Sequence, residues 1–277
     1  MNPSFIKIAL SLVLFASLAR LNAQIAIAPA FVFVDERSGV GNLFVSNNGQ
    51  HPHEVAISFA FGYPGSDADG NLVMIYSDSA AYAQFALDPM IRAFPRNFVL
   101  QPGEQRTVRI QVIPGQQRKE GFFYTRIKLL AKQQMPEITQ PVEEGITTRI
   151  AFNFEQITAV FYRRGKVSTG LEVKRLDVNQ ADQTLELRAH LQPLGNAPYL
   201  GSMFARLIDG NGKVVAENQS TTTAYFDVVR RIDLSLAGVA PGKYTIELSF
   251  ETRRNDMIAD ELVQAEKTTH NTSFEVR

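Results

Sequence analysis

After Gln24, the chain alternates between short apolar stretches and turn residues. In residues 55–61 the apolar side chains Val55, Ile57, Phe59 and Phe61 fall on every second position, which is typical of a half-buried strand. Residues 106–113, 185–191 and 245–251 alternate in the same way, and Asp209-Gly210-Asn211-Gly212 is a strong hairpin turn. Because no stretch has the period of a long amphipathic helix, the pattern predicts an all-β chain built of β-sandwiches.

A change in composition divides this strand-rich chain. A long extended run over residues 146–162 is followed by the basic segment Arg163-Arg164-Gly165-Lys166, and the strand pattern then resumes. Such a segment is typical of a linker between domains. We therefore expect an N-terminal domain over residues 24–165 and a C-terminal β-sandwich domain over residues 166–277.

The first 23 residues have the order of a secretory signal. Lys7 precedes an apolar run over residues 8–19, which is shorter than the roughly 20 residues that a helix needs to span a bilayer. Leu21 and Ala23 are the small or apolar residues expected just before a cut at Gln24. The pattern favours a cleaved signal peptide, residues 1–23, over a short buried helix. It predicts an exported, soluble protein, and the periplasm as its location.

Composition and charge exclude several classes of protein. Lys plus Arg and Asp plus Glu both number 28, so the net charge is zero, which argues against a nucleic-acid partner. The chain has no Cys, which excludes zinc ribbons, iron–sulfur clusters, disulfide frameworks and a lipid anchor. No second long apolar run follows the signal, so we expect no membrane span in the mature chain.

Few residues suggest catalysis or metal binding. His51 and His53 flank Pro52 and precede Glu54, but no third ligand is placed by the sequence, and a solvated loop is the favoured interpretation. Asp67, Asp69 and Asn71 surround Gly70 without the spacing of a calcium loop, which favours a polar loop. The sequence predicts no enzyme, no cofactor and no metal. A carbohydrate-binding or enzymatic module stays as an alternative, and His51, His53 and Glu54 would be the first candidate residues of its site.

The N-terminal half resembles the periplasmic chaperones of the chaperone–usher pilus pathway. The likeness lies in four stretches that occur in the order of that family: residues 34–48, 91–110, 118–124 and 150–163. The most specific of them contains Pro102-Gly103 followed by a strand that ends in Arg109-Ile110. The resemblance implies two immunoglobulin-like domains and a chaperone that binds secreted or pilus-type subunits, with an outer-membrane usher as a further partner.

The mechanism implied by the resemblance is donor-strand complementation, in which an edge strand completes the fold of a subunit. The family's donor positions fall on Ile150, Phe152 and Phe154, which alternate with smaller or polar residues. The same three residues could instead face the domain's own core, which would fit a secreted structural or adhesive β-sandwich protein. If they are exposed, we expect self-association through the strand.

This chain departs from the family at the carboxylate anchor. The resemblance implies an Arg on the first strand and a Lys on the last strand of the first domain, which hold the C-terminal carboxylate of the subunit. Phe31 and Ala159 occupy those positions here, and neither can bind a carboxylate. A divergent member, with another partner or another anchor, fits the residues best.

Overall fold

A computed structural model describes residues 24–34, 36–113, 120–134 and 153–277. The predicted signal peptide lies outside these residues. Strands dominate the described chain, and one short helix, α1 (Ser79–Phe85), accompanies a single 3-10 turn, Ala259–Glu261. Within the described ranges, no helix has the length and apolar character that crossing a membrane requires.

The first half of the chain forms a sandwich of two sheets. One sheet has four strands, in the order β1 (Ile25–Ala28), β3 (Val40–Asn47), β9 (Gln105–Val112), β7 (Ile91–Phe94). The facing sheet has five, in the order β2 (Phe31–Val34), β11 (Asn153–Arg164), β10 (Gly121–Gln133), β4 (His53–Ala60), β8 (Asn97–Leu100). All neighbours are antiparallel except β2 and β11, which run parallel.

Alternating side chains from both sheets fill this first core. Leu43 and Val45 of β3, Ile57 of β4 and Leu129 of β10 are at most 1% exposed. Each lies two residues from the next inward-facing position, as the period of a strand requires. The apolar alternation of the sequence thus sets which face of each strand is buried.

The second half forms another sandwich. Its three-stranded sheet has the order β12 (Thr169–Ala181), β13 (Thr184–Gly195), β16 (Val228–Ser235), and its four-stranded sheet has the order β15 (Val214–Ala224), β14 (Tyr199–Ile208), β17 (Gly242–Glu251), β18 (Thr268–Val276). The predicted hairpin turn joins β14 to β15, where the Asp209 carboxylate accepts the backbone N–H of Asn211 and Lys213, both at 2.9 Å. The prediction of an all-β chain with two β-sandwiches is confirmed. The domain limits of 24–165 and 166–277 stay a prediction.

Residues 25–34 are apolar along most of their length, but they form two strands in different sheets. Pro29 has no N–H to donate to a ladder, and the chain passes there from β3 to β11 as its partner. The N-terminal segment therefore joins both sheets of the first sandwich.

An insertion lies between β4 and β7, where the sequence favours a polar loop around Gly70. It contains a hairpin, β5 (Tyr63–Ser66) and β6 (Leu72–Ile75), followed by α1. Asp67 closes the hairpin because its carboxylate accepts the N–H of Asp69 at 3.0 Å and of Asn71 at 2.8 Å. The Asn71 side chain also donates to this carboxylate, at 2.9 Å, and that bond, ahead of the backbone bonds, lowers the pKa of Asp67. We call residues 61–86 the insertion.

A third apolar cluster joins the two sandwiches, and we call it the interface cluster. The insertion and the outer face of the five-stranded sheet supply its buried aromatic rings, and the second sandwich adds smaller apolar side chains and the partly buried rings of Tyr225 and Phe226. Its buried members are Phe61, Tyr63, Ala81, Ala86, Phe122, Tyr124, Ala159, Phe161, Ala197, Leu200 and Leu262.

Candidate functional site

One edge of the first sandwich is open along part of β11. Strand β2 pairs with β11 only over residues 159–162, while β10 pairs with it over residues 153–164 on the other side. No strand of the described chain pairs with the outer edge of residues 153–158. Two side chains reach across that edge: Gln156 donates to the Ile25 carbonyl at 2.8 Å, and Thr158 donates to the Ala30 carbonyl.

The predicted donor residues lie at or before the start of this edge. Ile150 and Phe152 lie outside the described residues. Phe154 is half-buried, packs against the first core, and has its ring centroid 5.8 Å from that of His53. Ile157, on the opposite face of the strand, is 47% exposed. The assignment of Ile150, Phe152 and Phe154 as donor residues stays a prediction.

Phe31 and Ala159, the positions of the family's carboxylate anchor, are direct partners in the parallel pairing of β2 and β11. Neither side chain carries a charge. The Phe31 ring stacks against Phe161, with the ring centroids 6.2 Å apart, and Ala159 is buried in the interface cluster. The Arg254 guanidinium of the second sandwich lies over the Phe31 ring, with its carbon 5.3 Å from the ring centroid. The two anchor positions are therefore adjacent in space, although the chemistry of the family's anchor is absent from them.

The interpretation of the histidine pair as a solvated loop fits His51, which is exposed, but is wrong for His53. His53 begins β4 and is 0% exposed, with Nδ1 2.9 Å from the carbonyl oxygen of His51 and Nε2 without a hydrogen-bond partner. It is buried because its neighbour across the sheet, Leu100, and the nearby Phe154 enclose it. Glu54 points away and accepts a bond from Gln134 at 2.9 Å. Among the residues that the structure describes, no group of three metal-ligating side chains occurs.

The insertion supplies polar contacts that the sequence interpretation missed. The Tyr63 hydroxyl donates to the Asp78 carboxylate at 2.6 Å, and Asp78 also accepts the Ala81 N–H at the start of α1. The bond from the Ala81 N–H, followed by that from Tyr63, lowers the pKa of Asp78, while burial and the adjacent carboxylate raise the pKa of Tyr63. The aromatic residues Tyr63, Tyr82 and Phe85 were the one signal in the sequence that this segment packs against another part of the protein.

The insertion also fastens the two sandwiches to each other. Val229 donates its N–H to the Ser66 hydroxyl at 2.9 Å, and Arg230 donates to the Gly65 carbonyl at 2.9 Å. The ring centroids of Tyr63 and Phe226 lie 4.8 Å apart. Hydrogen bonds and ring contacts thus connect β5 directly to the second sandwich.

No family model matches the chain, and the search of curated proteins found no match. Among solved structures, the YadV chaperone is 10% identical, with 90% of this chain and 100% of that chain covered and a TM-score of 0.46. A chain of the complex of Salmonella enterica SafA pilin with the SafB chaperone is 15% identical, with 93% and 99% covered and a TM-score of 0.40. A chain of the Acinetobacter baumannii CsuC–CsuE complex, a chaperone with a tip adhesion subunit, is 10% identical, with 90% and 98% covered and a TM-score of 0.43. The proteins that this chain resembles, in its sequence motifs and in these solved structures, are the periplasmic chaperones of pilus assembly.

Proposed function

We propose that the protein is a periplasmic chaperone that binds incompletely folded secreted or pilus-type subunits by lending them a strand. The observation that carries this proposal is the open edge of β11 over residues 153–158, directly after the apolar alternation of Ile150, Phe152 and Phe154. The motif resemblance of the first half supplies the class of partner.

An open strand edge gives affinity through the backbone. A subunit that lacks a strand can pair with the N–H and C=O groups along this edge, and alternate side chains then fill pockets on the subunit. Phe154 lies on the face of β11 that covers the first core. A subunit sheet that continued from this edge would therefore place its own apolar face in line with that core, and Phe152 and Ile150 would extend the same apolar row.

The opposite face of β11 is polar at its first two positions, ahead of the exposed Ile157. Glu155 forms an ion pair with Lys128 of β10 at 2.9 Å, and Asn153 is exposed. Charged side chains beside an edge limit unwanted pairing between copies. The polar face thus favours a partner that covers one side of the strand, as a client with an open core would do.

A second candidate function has one observation in its favour. Phe154 already packs against the protein's own core, as expected of a structural or adhesive β-sandwich protein whose strand residues are internal. In that case Phe152 and Ile150 would also face inward, and the open edge would join neighbouring molecules in a surface assembly.

One pair of variants on β11 separates these functions. Phe152→Asp places a charge in the proposed donor row, and Ile157→Asp places the same charge on the opposite, exposed face. The assay is co-purification of exported subunits from the native periplasm, identified by mass spectrometry, with thermal melting of both variants. If the strand is donated, Phe152→Asp abolishes capture and keeps the melting temperature, while Ile157→Asp keeps both. Loss of a side chain at an interface core costs about 2 kcal/mol or more, roughly a thirtyfold loss of affinity.

The opposite result favours the structural function. A charge buried without a partner destabilises a core strongly. A collapse in the melting temperature of Phe152→Asp alone would mean that the row faces inward and that the donor assignment is wrong.

A further inference from the structure

A cleft beside the insertion is rich in aromatic side chains, and we call it the aromatic cleft. Its volume is about 950 Å³, which lies in the range of small-molecule sites. The end of α1 and the start of β10 line it, together with the end of β13, the loop after it, and the turn between β15 and β16. Its aromatic residues are Phe85, Phe122, Phe123, Tyr124, Tyr225 and Phe226. The insertion and both sandwiches therefore contribute to this cleft.

The rings of the aromatic cleft hold one another in place. The ring centroid of Tyr124 lies 4.5 Å from that of Tyr225 and 5.9 Å from that of Phe85. Phe85 in turn meets Phe226 edge to face, with the centroids 5.8 Å apart. The Tyr124 hydroxyl is buried and has no hydrogen-bond partner among the described residues, which is uncommon in a folded protein. The cleft thus combines a preformed aromatic surface with a buried polar atom that lacks a partner.

The loop after β13 is fixed by hydrogen bonds to the segment that enters the second sandwich. The Asn196 side chain accepts the Ser168 N–H at 2.9 Å and donates to the Lys166 carbonyl at 3.1 Å. The backbone N–H groups of Asn196 and Ala197 both donate to the Ser168 carbonyl at 3.1 Å. Since this loop is ordered before any ligand arrives, binding in the cleft needs little rearrangement, which favours affinity.

The charged side chains of the aromatic cleft are both carboxylates. Glu120, directly before β10, and Asp227, between β15 and β16, line it, and its described lining includes no Lys, Arg or His. Glu120 accepts the backbone N–H of Lys166 at 3.3 Å, and neither carboxylate forms an ion pair with a residue that the structure describes. Two negative charges without a counter-charge repel an anion and attract a cation, so the cleft favours a positively charged ligand.

We propose that the aromatic cleft binds an organic cation, an ammonium group on an apolar body, with Glu120 and Asp227 as its counter-charges. The rings of Phe85 and Phe226 then cover the apolar body, and a cation near the face of such a ring is attracted by its quadrupole. A metal ion would leave the aromatic walls uncovered, and the described chain has no group of three metal-ligating side chains. The proposal goes beyond the strand-donating function and does not depend on it, because none of residues 153–158 line the cleft.

The test uses three probes that share a phenethyl body and differ in charge: phenethylammonium, phenethyl alcohol and phenylpropionate. The mature protein is titrated with each by calorimetry at low ionic strength, because salt screens the carboxylates. We expect phenethylammonium to raise the melting temperature and to bind at least about fivefold more tightly than the alcohol, with phenylpropionate the weakest. Equal binding of the three probes, or no binding of phenethylammonium, would overturn the proposal.

Two sources could supply such a cation: a free amine, or the lysine side chain of a polypeptide. An acetylated and amidated Phe-Lys-Phe peptide presents the same ammonium and rings on a peptide backbone. It is titrated beside phenethylammonium, and the tighter of the two identifies the source.

Variants locate the site. The double variant Glu120→Gln with Asp227→Asn should weaken phenethylammonium binding by about fivefold or more and leave phenethyl alcohol unaffected, since only the charges are lost. Asp182→Asn is the control, because Asp182 is an exposed carboxylate in the turn between β12 and β13, outside the cleft. Phe226→Leu keeps an apolar side chain without a ring, so it should weaken the cation more than the alcohol. A double variant that keeps the wild-type melting temperature and binds phenethylammonium like the wild type would overturn the proposal.

Discussion

Replacing Phe161 with alanine should loosen the contact between the two sandwiches while leaving the first core complete. Phe161 belongs to β11, but its side chain points away from the first core into the interface cluster and is 1% exposed. Its ring centroid lies 5.0 Å from that of Phe33 and 5.4 Å from that of Phe122. The cavity left by the substitution would border Leu200 and Leu262 of the second half.

The expected size follows from this burial. Truncation of a fully buried Phe to Ala typically costs about 3–5 kcal/mol. For a chain of this size, each kcal/mol lowers the melting temperature by roughly 2–4 °C, so a fall of about 6–20 °C is expected. Since Phe161 belongs to the cluster that joins the two sandwiches, the calorimetric transition should also separate into two, and cleavage by protease around residues 165–168 should become faster.

Val160→Ala is the matched control. Val160 is the next residue on the same strand, is 0% exposed, and faces the first core. It should lower the stability of the first sandwich by about 1.6 kcal/mol, for two buried methyl groups, without separating the transitions. The reasoning is refuted if Phe161→Ala melts like the wild type, or if it resists protease as well as Val160→Ala does.

Three further predictions concern other positions. Gly195 has φ +89°, and a Cβ there would lie 2.3 Å from the Ser168 carbonyl oxygen, so Gly195→Ala should clearly lower the urea midpoint of unfolding. Gly210→Ala is the control: no atom lies within 4 Å of the position a Cβ would take there, so the midpoint should stay nearly unchanged. The pKa of Asp78 is lowered in the folded protein, so its ionised form stabilises the fold above the unfolded pKa of about 3.9. This contribution is lost as the pH falls through the lower folded pKa. The difference in melting temperature between wild type and Asp78→Asn should therefore be constant above about pH 5 and shrink in more acid solution. Mass spectrometry of the exported protein should find Gln24 or a residue close to it at the N terminus, and an intact Met1 would contradict the signal prediction.

The sequence predicted those strands best that bury a regular apolar face. Strands β4 and β9 cover most of the alternating stretches at residues 55–61 and 106–113. Strand β12 escaped prediction because its register shifts between Val173 and Arg175, so that Val173 and Leu176 do not share one period of two. Strands β15 and β18 lie at the edges of their sheet and are rich in Thr, Ser and Asn, so they carry little apolar signal.

The candidate site, too, could be predicted from the sequence only in part. The motif alignment placed the anchor positions on Phe31 and Ala159, and the pairing of these two residues could follow only from the parallel contact of β2 with β11. The interface cluster draws on Tyr63 of β5, Tyr124 of β10 and Leu200 of β14, which belong to three separate elements. No local spacing of residues in the sequence indicates that such distant residues are in contact, because their contact depends on how the two sandwiches pack.

The insertion has a consequence for the order in which the chain folds. Domains generally fold from the N terminus as synthesis proceeds. The first sandwich is complete once β11 has emerged, yet Tyr63 and Phe161 of that half are covered by residues 197–262, which arrive later. Until then an aromatic surface faces water, and it is a hydrophobic patch of the kind that promotes aggregation. A nascent chain halted near residue 165 would therefore be an aggregation-prone intermediate that needs protection. Synthesis and folding of the second half would end that exposure.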